Sequence, residues 1–211
     1  MRQRFWQPAG WLIFGNYGTK NTGDEAMLAG LIYGLRKRQQ EVPITVVLKD
    51  GQLPSHLRGL GIQPIEARVR PVWQAIRNTQ GIILGGGTHF HDDYVMSRYV
   101  RHLRYMLRFL FLFALGRVLR KRVFLLGMGF GPFRLRLIEL IPRIACTLAE
   151  HVTVRDLTSY QRATKWIGVS KLTQAFDLAA LLYPTIKSCE SKKKDSSNEL
   201  HLGVSIVSIA N

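Results

Sequence analysis

Cysteine, acidic residues and long apolar runs are all in short supply, and each shortage removes a class of protein. Two cysteines, Cys146 and Cys189, among 211 residues form no disulfide framework and no zinc-site spacing, so a reducing cytosol is the simplest setting. Only 14 Asp and Glu stand against 30 Lys and Arg, and the formal charge of +16 calls for an acidic partner: nucleic acid, an anionic membrane surface or a phosphorylated small molecule. No aromatic-basic recognition motif accompanies that charge, so specific nucleic-acid binding is not expected. The apolar stretch after Arg2 and Arg4, Trp11 to Phe14, is too short for a signal peptide. Between Leu103 and Leu119 the charge-free part, Phe109 to Gly116, falls well short of the roughly 20 residues that span a bilayer. That stretch reads as a helix buried on a sheet. Arg101, Arg104, Arg108, Arg117, Arg120, Lys121 and Arg122 around its apolar body keep a membrane-surface helix as the alternative.

What is present is a regular alternation of strand and helix signals. Trp11 to Phe14 ends at Gly15, and a loop with Gly18 and Gly23 gives way to helix spacing at Met27, Leu28, Leu31, Ile32 and Leu35. Ile44 to Leu48 is a β-branched strand between Pro43 and the Lys49-Asp50-Gly51 turn. Pro54 to Gly61 reads as a short helix or turn, and Val69 to Thr79 as a helix beginning near Pro71. Strand Gly81 to Leu84 breaks at Gly85-Gly86-Gly87, and strand Val123 to Leu126 ends in Gly127, Gly129 and Gly131. A helix with a break at Pro142 runs towards Glu150. Strand Val152 to Val154, a helix from Arg155-Asp156 to Trp166, and a strand Leu172 to Phe176 ending at Asp177 complete the pattern. The fold class expected is α/β: Rossmann-like, a mostly parallel sheet with helices on both faces. That domain spans 1–183; the polar stretch 184–199 reads as a flexible linker and 200–211 as the first strand of a second, missing domain.

The loops that leave the strands carry the candidate chemistry. Gly15 to Lys20 gives neither the P-loop nor the dinucleotide glycine order, and Asp24 and Glu25 fill the helix start where a phosphate needs bare N–H groups. They suit the N-terminal end of a helix dipole, with Asp24 as a cap, and equally suit binding or deprotonating sugar hydroxyls. Three consecutive glycines allow φ > 0 and close approach of a ligand. His89-Phe90-His91-Asp92-Asp93 matches part of the H-x-H-x-D motif of metallo-β-lactamase-like hydrolases, but Tyr94 stands where the next histidine belongs. No metal is therefore expected, a hydrolase using His89 and His91 is the weaker alternative, and hydrogen bonding or general acid work is the ordinary role. Arg155 presents a planar fork suited to a carboxylate or phosphate, or an ion pair with Asp156 or a neighbouring loop.

Taken together, GNYGTKNTGDEAML, ILGGGTHFHDD, LLGMGFGP, VRDLTSYQRA and the later Asp177, in that order between Trp11 and Leu182, resemble the polysaccharide pyruvyl transferase family. The resemblance implies transfer of a pyruvyl group from phosphoenolpyruvate to hydroxyls of a glycan or lipid-linked glycan, usually as a ketal in cell-envelope and exopolysaccharide biosynthesis. It implies two facing Rossmann-like halves of GT-B type and no cofactor beyond the donor; the cysteine count keeps the setting cytoplasmic, and the arginine-flanked stretch allows peripheral contact with an anionic membrane. For that chemistry the candidate catalytic residues are Asp24, Glu25, His89, Asp92 (or Asp93) and Arg155, with the family motif matched at Arg155, Asp156 and Ser159. Substrate contacts would come from Gly15, Asn16, Tyr17, Asn21, Gly85, Gly86, Gly87, Gly129, Arg155, Asp156 and Ser159. Two departures stand out. Thr88-His89-Phe90-His91 replaces the further glycine and leucine pair that members often show, and the second half's Arg-Leu-His motif is not in the sequence. The chain is thus expected to be incomplete and inactive alone, with a non-catalytic anionic glycan- or lipid-binding or partner-docking module as the alternative.

Overall fold

Gly10–Phe14 (β1) buries every residue from Trp11 to Phe14, Leu12 and Phe14 towards one face and Trp11 and Ile13 towards the other. A strand apolar on both faces needs cover on both, which parallel sheets obtain from crossover helices. The computed structural model describes residues 10–92 and 96–182, so the linker and second-domain strand expected at 184–199 and 200–211 lie outside the described residues. The further strands are β2 (Ile44–Leu48), β3 (Ile62–Glu66), β4 (Thr79–Phe90), β5 (Arg122–Phe130), β6 (His151–Val154) and β7 (Leu172–Gln174). The helices are α1 (Thr22–Arg38), α2 (Val69–Asn78), α3 (Met96–Val118), α4 (Arg136–Leu148) and α5 (Leu157–Ala163).

All neighbouring strands pair in parallel, in the order β3-β2-β1-β4-β5-β6-β7. The α/β, Rossmann-like reading of the sequence is what the chain adopts. From β1 the chain winds outward to β3, then returns through α2 to place β4 on the other flank of β1. The order reverses between β1 and β4, and there a crevice opens at the carboxyl ends of the strands. One core holds α2 to α5 against Leu12, Ile82, Leu84, Val123 and Val152. The other holds α1 and a 3-10 helix at Leu178–Leu182 against Ile13, Val46 and Ile83.

Several elements differ from their sequence reading, each for a visible reason. β4 and β5 run on through the glycines, with Gly85 opposite Leu126 and Gly87 opposite Met128. The glycines serve side chains that lie across them. A Cβ on Gly86 would come within 2.7 Å of Met27 Sδ, one on Gly127 within 2.6 Å of Leu178 Cγ, and one on Gly15 or Gly85 would overlap Tyr17. β3 contains Pro64, which argues against a strand except at an edge, and β3 is the edge strand. α4 continues through Pro142, whose ring is buried beside Ile138, Ile141, Ala145 and Cys146; that face offsets the one hydrogen bond lost. α3 begins at Met96, ahead of the expected Leu103. It buries Met106, Phe109, Leu112 and Phe113 against the sheet as expected, yet leaves Val100, Leu107, Phe111 and Val118 exposed. Among the described residues no helix is long and apolar enough to cross a membrane.

Candidate functional site

At the β1/β4 reversal a cleft of about 520 Å³ opens, lined by Asn16, Asn21 and Asp24 from one side, Thr88, His89 and His91 at its floor, and Arg101, His102 and Tyr105 from the first turns of α3. Its construction begins with Asn21. This residue, and not Asp24, is the N-cap of α1: Oδ1 accepts from Gly23 N at 3.0 Å and from Asp24 N at 3.4 Å. The Asp24 carboxylate is thereby released to the cleft, where Oδ2 accepts from Asn16 Nδ2 at 2.8 Å. It lies over Gly87, whose φ of +124° only glycine adopts readily and whose missing side chain leaves space beside both Asp24 and His89.

His89 is buried and fully engaged. Nε2 lies 3.0 Å from Gly85 O and 3.1 Å from Gly86 O, which only accept, so Nε2 carries the proton. Nδ1 then accepts from the Tyr105 hydroxyl at 3.0 Å. Burial holds the His89 pKa below the ordinary histidine value, against the upward pull of the Gly85 carbonyl and the Asp24 carboxylate. The ring is therefore neutral at physiological pH. His102, stacked on Tyr105 and 4.5 Å from His91 between ring centroids, has its pKa lowered to about 4, by burial first and by His91 second.

Arg155 follows β6 and reaches behind the cleft. Its Nη1 donates to Asp177 Oδ2 at 2.8 Å and its Nη2 to Thr88 Oγ1 at 3.0 Å. The ion-pair partner is thus Asp177; Asp156 instead caps α5 through Ser159 N at 2.7 Å and binds Ser159 Oγ at 2.8 Å. Ser159 Oγ in turn accepts from Phe130 N, tying α5 to the end of β5. Asp177 is positioned by the 3-10 helix behind it: Oδ1 accepts from Ala179 N, and Leu178 seats against Gly30, Gly86 and Gly127.

The carboxyl edge thus brings together Asn16, Asn21, Asp24, Gly87, His89 and, through Thr88, Arg155. The other candidates lie elsewhere. Asp92 is buried under the start of α4, where its carboxylate accepts from Arg134 N and Leu135 N. Asp93 falls outside the described residues. Glu25, in the first turn of α1, does not line the cleft. Gly15, Asn16 and Tyr17 border a smaller hollow of about 190 Å³ with Lys49 and Arg108. Gly129 gives room to Thr88 and Arg155, while Asp156 and Ser159 are spent on the α5 turn. Both ring nitrogens of His89 are engaged in hydrogen bonds, and among the described residues no group of three or more His, Cys, Asp or Glu side chains is placed to hold a metal ion.

Arg101, His102 and Tyr105 escaped the sequence reading of the site. They occupy i, i+1 and i+4 of the helix that follows β4, so a helix begun at Met96 would have placed them near the strand's carboxyl end.

Comparison with curated proteins and with solved structures returns no match. A model of the polysaccharide pyruvyl transferase family matches residues 21–207, most of the chain, and the protein belongs to that family.

Proposed function

We propose that the cleft transfers the pyruvyl group of phosphoenolpyruvate to a hydroxyl pair of a cell-envelope glycan. The observation that carries the reading is the carboxylate of Asp24, freed from capping by Asn21, oriented by Asn16 and set in one cleft with Arg101 and, behind Thr88, Arg155. Ketal formation adds two hydroxyl oxygens to C2 of the enol phosphate and breaks the C2–O bond to phosphate. One hydroxyl proton ends on C3, making the methyl group, and the other leaves with the phosphate. Asp24 is suited to accept the first hydroxyl's proton. Arginine is suited to the carboxylate and departing phosphate, and Arg155 reaches them by exchanging Asp177 or Thr88 for the donor. His89, neutral and held at both nitrogens, positions Tyr105. A second domain, facing the carboxyl edge, would complete the donor site in the cytoplasm.

Arg155 engaged on both arms also favours a second reading, a module that binds an anionic glycan without turnover. The two are separated by incubating the chain, alone and extended by any downstream coding sequence, with phosphoenolpyruvate and lipid-linked glycans, and following phosphate release and ketal formation by mass spectrometry. Asp24→Asn should lower kcat about 100-fold or more if it is the base, and Arg155→Lys should lower kcat/KM roughly ten- to a hundredfold. Glycan binding without phosphate release would establish the module. Turnover indifferent to both substitutions would move the chemistry away from this cleft.

A further inference from the structure

α3 and α4 lie against each other on one face of the sheet. Their inner sides are buried through Met106, Phe109 and Phe113 and through Ile138, Ile141 and Ala145. Their outer sides are not the polar surfaces that amphipathic helices on a sheet usually present to water. Along α3 the stripe opposite the core carries Val100, Leu107, Phe111 and Val118, with Phe111 66% and Val118 79% exposed. Alongside, α4 exposes Leu137, Leu140 and Ile144, Leu137 to 77%. Arg104 sits within the first stripe and Arg136 and Arg143 beside the second. The whole of α3, Met96–Val118, contains no Asp or Glu. The single carboxylate of α4, Glu139, is turned towards Arg162 at 3.7 Å.

We propose that this two-helix face docks on an anionic lipid bilayer, the apolar stripes entering the headgroup boundary and the arginines taking lipid phosphates. Apolar side chains interleaved with arginine and lacking carboxylates match such a surface in both respects. A second copy of the chain fits it poorly, since a two-fold contact would set arginine against arginine. The inference does not rest on the transfer chemistry, because docking needs no turnover.

The test is flotation of the full chain with vesicles of phosphatidylcholine alone and of equal parts phosphatidylcholine and phosphatidylglycerol, at low and high salt. The anionic vesicles should carry the protein and the neutral ones should not. Phe111→Ser should reduce partitioning about tenfold. Arg104→Gln with Arg143→Gln should reduce it about fivefold per arginine and flatten the salt dependence. Lys37→Gln with Lys171→Gln, which removes equal charge from other exposed positions, should change it little. Circular dichroism and light scattering on each variant show whether it is folded and monomeric. Three results would overturn the proposal: no flotation with anionic vesicles, equal losses from the arginine and lysine pairs, or a dimer that Phe111→Ser dissociates.

Discussion

If Gly85 lacks a side chain in order to seat Tyr17, then Gly85→Ala should destabilise the fold, and removing one oxygen elsewhere should relieve most of the damage. A Cβ at Gly85 would overlap Tyr17 Oη and lie 2.9 Å from Leu31 Cδ2. Tyr17 has little room to retreat, being buried with Gly15 packed against Cε2, Cζ and Oη, the same end of the ring that faces Gly85. Overpacking of this kind costs about 1–3 kcal/mol, or roughly 2–4 °C in Tm for each kcal/mol in a chain of this length. Tyr17→Phe removes a buried hydroxyl that has no hydrogen-bond partner, so it should be neutral or stabilising by up to about 1 kcal/mol. In the double variant the nearest ring carbon, Cζ, stands 3.5 Å from the new methyl, an ordinary contact, and only the mobile end of Leu31 must yield. The two substitutions should therefore couple by about 1–2 kcal/mol in a double-mutant cycle measured by urea denaturation. Additive effects would refute the reasoning. Unchanged stability in Gly85→Ala, combined with loss of donor or glycan binding, would return Gly85 to a ligand-contact role.

Three further outcomes are expected. Asp92→Ala leaves Arg134 N and Leu135 N without their buried acceptor, so it should lower stability by about 1–3 kcal/mol in chemical denaturation; a thermodynamically silent substitution would remove Asp92 from the start of α4. His102, with its pKa at about 4 in the folded chain and 6.5 unfolded, gives a stability that is full above pH 6.5 and falls as the pH drops towards 4, because the unfolded chain takes up the proton first. His89, lowered in the same direction, adds to that slope, and His102→Asn should flatten it; equal melting curves at pH 7 and pH 5 would contradict the burial of His89 and the half-buried setting of His102. Tyr105→Phe strips His89 Nδ1 of its donor and should lower Tm, while nitrogen NMR still reports the Nε2–H tautomer because Gly85 O and Gly86 O fix it; a switch to Nδ1–H would show that Tyr105 sets the tautomer.

The alternation of short apolar runs with helix-spaced stretches was enough to establish a parallel α/β sheet, because strands buried on both faces and their crossover helices are written in local periodicity. Motif order was enough to identify the family. Local pattern also located Asp24 at a helix start and His89 and Arg155 at strand ends, though it could not assign their partners. Which acid meets Arg155 depends on how far the chain returns after β7, and the answer, Asp177, follows from Leu178 seating on three glycines drawn from α1, β4 and β5. The glycines themselves read as ligand space when taken locally; in the folded chain that space is filled by Tyr17, Met27 and Leu178, which belong to other segments. The cleft wall from α3 was hidden for the same reason, since Arg101, His102 and Tyr105 acquire a common neighbour only when α3 packs beside β4. Periodicity is a property of contiguous residues, whereas a site and its charges are set by distances between segments far apart in the chain, and only packing determines those.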